Sequence, residues 1–95
     1  MLKVVAKNFA QKESIDKIIE LCKELVETTR REIGCIKYEM YQDENDPTIL
    51  TIIEEWESKH DLENHMESEH FTRIVPMIEK FMIKKSEINI YNKLI

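Results

Sequence analysis

The chain has 95 residues, with 14 lysines and arginines against 19 aspartates and glutamates, for a net charge of -5. Basic groups interleaved with acidic ones offer no phosphate-binding face, which excludes nucleic acid as a partner. Apolar residues at 42%, one glycine and two prolines describe a single small domain, residues 1–95, with little material for linkers. The first predicted element is a β-branched strand, Leu2 to Phe9. A helix follows over "SIDKIIELCKELVETTRREIG", with Ser14 as its expected N-cap. Ile15, Ile18, Ile19, Cys22, Leu25, Val26 and Thr29 recur at helical spacing, and Gly34 closes the pattern. "CIKYEMYQ" and "TILTIIEEWE" flank the turn-forming "DENDP" and read as an antiparallel hairpin. Helical spacing returns in "SKHDLENHMESEHFTRIVPMIEKFM", with Ser58 and Asp61 as a capping pair and a break or kink expected at Pro76. "SEINIYNKLI" closes as a strand.

The order β-α-β-β-α-β is the split arrangement of ferredoxin-like α+β folds: a four-stranded antiparallel sheet with helices on one face. Period two puts Leu2, Val4, Ala6 and Asn8 on one face of the first strand and Val5 and Phe9 on the other. In the third strand Leu50, Ile52, Glu54 and Trp56 oppose Ile49, Thr51, Ile53 and Glu55. Helices cover only one such face, and the chain has no spare element for the second. The expected partner is therefore a second copy, in a homodimer packed through the open sheet face. No stretch reaches membrane-spanning length, no leader-like segment opens the chain, and Cys22 and Cys35 form no CxxC pair. The expected setting is cytoplasmic and reducing, without membrane contact.

All three histidines and the one tryptophan fall between Glu54 and Phe71. His60, His65 and His70 are spaced by five, which on one continuous helix turns each roughly 140° from the last, so no metal site is expected. Cys22 sits on an apolar stripe and reads as a small core residue. By their faces, Asn8, Tyr38, Glu54, Trp56 and His65 converge beneath the helices, a few polar groups in an apolar pocket. Glu54 is the expected holder of a histidine proton. A structural role for these groups, as hydrogen-bonded core residues, competes with a functional one.

The stretch "IIEEWESKHDLENHMESEHF" resembles the core signature of the antibiotic biosynthesis monooxygenase family: a strand ending in E-x-W, then L-x-x-H-x-x-S-x-H-F. "IGCIKYEMYQDENDP" is similar to that family's other motif, G-C-x-x-Y-E before a polar turn. The resemblance runs over essentially the whole chain and implies a dimeric α+β barrel. It also implies a monooxygenase without cofactor or metal, oxidising a quinol or related hydroxylated aromatic with O2. By the same resemblance His65 is the candidate base, while Trp56, Tyr38 and Asn8 shape the pocket and Glu54 supports it. His70 then holds a helix break, with Ser68 as cap. Haem-degrading relatives carry an Asn, a Trp and a His; here Asn8 matches, but His65 and Val75 stand at the other two positions. Another similar branch isomerises a phosphorylated dicarbonyl, which requires a basic cluster such as Lys7, Arg30 and Arg73. A dimeric binding protein without catalysis is the third alternative.

Overall fold

A computed structural model describes all 95 residues, Met1–Ile95. The elements are β1 (Leu2–Phe9), α1 (Ile15–Thr29), β2 (Cys35–Gln42), β3 (Ile49–Trp56), α2 (Lys59–Glu67), α3 (Glu69–Glu79) and β4 (Glu87–Asn92). The four strands form one antiparallel sheet in the order β2-β3-β1-β4. This is the ferredoxin-like α+β fold, with the helices on one face. No helix is long and apolar enough to cross a membrane.

The alternation in β1 and β3 decides which residues meet the helices. Leu2 pairs with Trp56, Val4 with Glu54 and Ala6 with Ile52, and this face turns toward α1, α2 and α3. Val4, Leu50, Ile52 and Trp56 are buried there beside Ile18, Cys22 and Leu25 of α1. On the other face Val5, Ile49 and Ile53 are half-buried, while Lys3 and Lys37 approach Glu55. In β2 a bulge between Cys35 and Lys37 puts Tyr38 and Met40 opposite Glu54 and Ile52. Ile36, the residue at the bulge, is half exposed.

Two local expectations are corrected. Ser14 occupies the N-cap position of α1 without capping it; its hydroxyl donates to Gln11 Oε1 at 3.2 Å. Pro76 does not break its helix but lies inside α3. It is exposed, as is Thr72, whose carbonyl loses its intrahelical donor and can turn to water. The break comes at Ser68, the cap that the resemblance implied, where the backbone is extended. The Ser68 hydroxyl accepts from Phe71 N–H at 3.3 Å and donates to the His65 carbonyl at 2.6 Å, ending one helix and starting the next. The capping pair does form, with Ser58 Oγ accepting from Asp61 N–H at 3.1 Å.

Candidate active site

Between the sheet and the helices lies a mostly apolar cavity of about 410 Å3. Val4, Ile52, Leu62, Phe71 and Ile78 supply apolar wall, and Asn8, Tyr38, Glu54, His65, Lys85 and Ser86 supply polar groups. Ile88 and Ile90 of β4 line it too, yet are 61% and 55% exposed, so the cavity opens over β4.

His65 stands at the inner wall, 1% exposed, and α2 aims it there because Leu62 and His65 share a helical face. Its ring lies among aromatics: Trp56 at 4.8 Å between centroids, Phe71 at 5.0 Å and Tyr38 at 5.4 Å. The carboxylate that holds it is not Glu54 but Glu32, whose Oε2 lies 2.6 Å from His65 Nδ1. The same oxygen lies 2.9 Å from His70 Nε2. A carboxylate oxygen accepts, so both ring nitrogens donate, and this fixes the proton of His65 on Nδ1. His65 Nε2 is then a bare lone pair, fully buried and without a hydrogen-bond partner in the protein. Burial pulls His65 below the usual histidine range, against the opposing pull of Glu32. The ring is neutral at neutral pH.

Glu32 is the residue that sequence reasoning missed. It sits in the turn from α1 to β2, where its N–H donates to Thr29 O and its carbonyl accepts from Cys35 N–H. Gly34 turns the chain at φ +83°, and a Cβ there would fall 2.1 Å from Asp61 Oδ2. The start of α2 is therefore seated directly on this turn, which sets Glu32 against His65. No sequence spacing announces a contact between residues 33 positions apart.

Glu54 serves differently. It is buried, lines the cavity, and accepts from the Trp56 indole N–H at 2.8 Å. Burial pushes its carboxyl up to about 7, the indole bond pulls it back, and the nearby Glu32 charge pushes the same way as burial. Trp56 itself is wholly buried behind His65 and is not part of the cavity wall. Tyr38 does line it, with a phenol that burial pushes up, so the hydroxyl keeps its proton. Asn8 lines it with its amide committed: Nδ2 donates to the Ala6 and Leu50 carbonyls, and Oδ1 accepts from Ser86. His70 stands outside the cavity, on the far side of Glu32, and His60 is exposed.

The basic residues wanted for a phosphorylated substrate do not gather here. Arg73 pairs with Glu24 and Glu69, Arg30 donates to the Tyr38 carbonyl, and Lys7 lies near the Phe9 ring. None of the three lines the cavity.

Residues 1–77 match the family model described as antibiotic biosynthesis monooxygenase. A conserved protein from Methanosarcina mazei Go1 has a similar solved structure, at 43% identity and a TM-score of 0.96, covering 98% of this chain and 92% of that one. A solved structure described as an antibiotic biosynthesis monooxygenase is 38% identical, with a TM-score of 0.95 and 99% of each chain covered. An uncharacterized protein of Synechocystis is 32% identical over 89 residues, 93% of this chain; the chain spans 60% of that relative's length.

Proposed function

Because this chain belongs to the antibiotic biosynthesis monooxygenase family, we propose that it oxidises a quinol or related hydroxylated aromatic with O2, using no cofactor. The observation that carries the reading is His65: Nδ1 held by Glu32, Nε2 buried and unpartnered, on the wall of an apolar cavity. A phenolic substrate meeting that nitrogen loses its proton to it. The resulting electron-rich anion can reduce O2 directly. One oxygen atom enters the ring as a carbonyl, and the other leaves as water with the two hydrogens the ring gives up. All four electrons that O2 needs come from the ring carbon and oxygen framework, so no external reductant is required. The Tyr38 hydroxyl lines the same cavity and, held protonated, serves as a hydrogen-bond donor to the developing anion.

The test is oxygen uptake by metal-free protein with a panel of dihydroxynaphthalenes and benzoquinols, with His65→Gln alongside. Uptake above autoxidation that disappears in the variant supports the reading. Ligand-induced rise of the melting temperature without uptake would instead make the protein a binder.

The working unit in this proposal is a homodimer closed over the helix-free sheet face. Val5, Ile49 and Ile53 are only half-buried there, with Tyr41 and Tyr91 about half exposed. Light scattering is expected to give a dimer for the wild type and a monomer for Ile53→Asp; a monomeric wild type overturns it.

A further inference from the structure

The break at Ser68 does something that five-residue spacing on one helix forbids. It swings His70 back so that its Nε2 and the Nδ1 of His65 aim at one point, now occupied by Glu32 Oε2. The three donor atoms lie within 4.8 Å of one another. We propose that Glu32, His65 and His70 form a binding site for one divalent transition-metal ion of the zinc class, and that the bound ion silences His65 as a base.

The chemistry of the donor set selects the ion. Two imidazole nitrogens and one carboxylate oxygen suit zinc, cobalt, nickel or copper, whereas calcium and magnesium take oxygen ligands. Two histidines with one glutamate is also a ligand set that catalytic zinc sites use, with a further position left for water. Bonds of about 2.1 Å place neighbouring tetrahedral ligands roughly 3.4 Å apart. The contacts at 2.6 and 2.9 Å therefore open by less than ~1 Å as the ion enters. Glu32 is able to yield, since it sits on a turn with its side chain 17% exposed, and the His70 side chain is 11% exposed. These two side chains give the cluster a solvent-facing side.

An imidazole that ligates through one nitrogen carries its hydrogen on the other: Nε2 in His65 and Nδ1 in His70. The Nε2 lone pair that the proposed function uses as base is thereby replaced by an N–H donor. Metal binding stands on the geometry of the cluster alone. The silencing of the base rests on the function proposed above.

The experiment uses the full chain and Co2+ as probe. The visible spectrum of protein-bound Co2+ and the melting temperature are read during titration, and Zn2+ then competes. The expected result is one ion per chain, with affinity lowered roughly tenfold or more in both His70→Ala and Glu32→Gln and unchanged in His60→Ala. Both informative variants change partly exposed groups, and circular dichroism checks their folding; should either fail to fold, the other decides. No protein-bound spectrum and no melting shift, or binding lost only with His60, overturns the site. If a quinol is turned over, Zn2+ should suppress uptake and a chelator should restore it. Binding without suppression overturns the silencing alone, and absent turnover leaves the spectral result to decide the site.

Discussion

Two carboxylates serve the same buried ring cluster, and they differ in what surrounds them. Glu32 lies at the rim, on a turn, and one of its oxygens takes two imidazole donors. Glu54 lies inside, on a strand, and takes one indole donor. Two charge-assisted bonds at a partly solvated rim suit an anion. A single neutral donor in the interior does not offset desolvation, so Glu54 is pushed up to about 7. The same side chain thus orients two imidazoles in one place and, at mildly acidic pH, is a neutral acid in the other. Solvent access and the number of donors make the difference.

The comparison can be broken by experiment, from the strongest expected effect downward. His65→Gln removes the group Glu32 serves while keeping most of its volume; turnover should fall by roughly 10²- to 10⁴-fold, read as oxygen uptake per protein. Unchanged uptake would leave Glu32 with nothing catalytic to orient.

Glu54 should make stability depend on pH. Its folded value, about 7, is above the ordinary 4.5, so its contribution is full below that ordinary value and is lost as pH rises through 7. Between pH 5 and 8 the loss is on the order of 2 to 3 kcal/mol. Urea unfolding at the two pH values should show this slope in the wild type and not in Glu54→Gln. A variant that keeps the slope assigns it to another group.

Glu32→Ala strands the Nδ1 proton of His65 and frees the ring to turn. Turnover should drop by about tenfold or more, the usual cost of losing an orienting partner, and Glu32→Gln, which keeps an acceptor oxygen, should recover part of it. Equal losses in the two would point to general destabilisation instead.

The smallest effect is expected at Ser68. Ser68→Ala removes the α3 cap and the tie to the His65 carbonyl and should cost about 1 kcal/mol in urea unfolding. The relative position of His65 and His70 depends on this residue. Co2+ affinity should therefore fall in the same variant, although Ser68 is not a ligand.

Much of this was readable before folding was considered. Period-two alternation in "LKVVAKNF" and "TIIEEW" put Asn8 and Glu54 on the helix-facing side, and the helical stripe carrying Leu62 put His65 opposite them. Ser58 and Asp61 announced the start of α2. Proline's missing N–H points to a break or kink at Pro76, while the family resemblance points to a break held by His70 with Ser68 as cap, and the second is where the helix ends. Ser68 won because its hydroxyl offers two backbone bonds at once, while an exposed proline is tolerated. Reading the five-residue spacing on one continuous helix is what hid the histidine pair. The expectation that His65 and His70 diverge holds only for an unbroken helix.

The chain by itself determined its elements, the face each residue takes, and so the wall of the cavity. These follow from repeats of two and 3.6 residues, which any short window of sequence carries. Tertiary structure alone decided which carboxylate reaches His65. Glu32 lies 33 residues from His65 and 38 from His70. It meets them only because a left-handed turn at Gly34 seats the start of α2 against the end of α1. A contact of that kind is set by how the elements dock, and docking depends on packing over the whole core, so no local pattern encodes it.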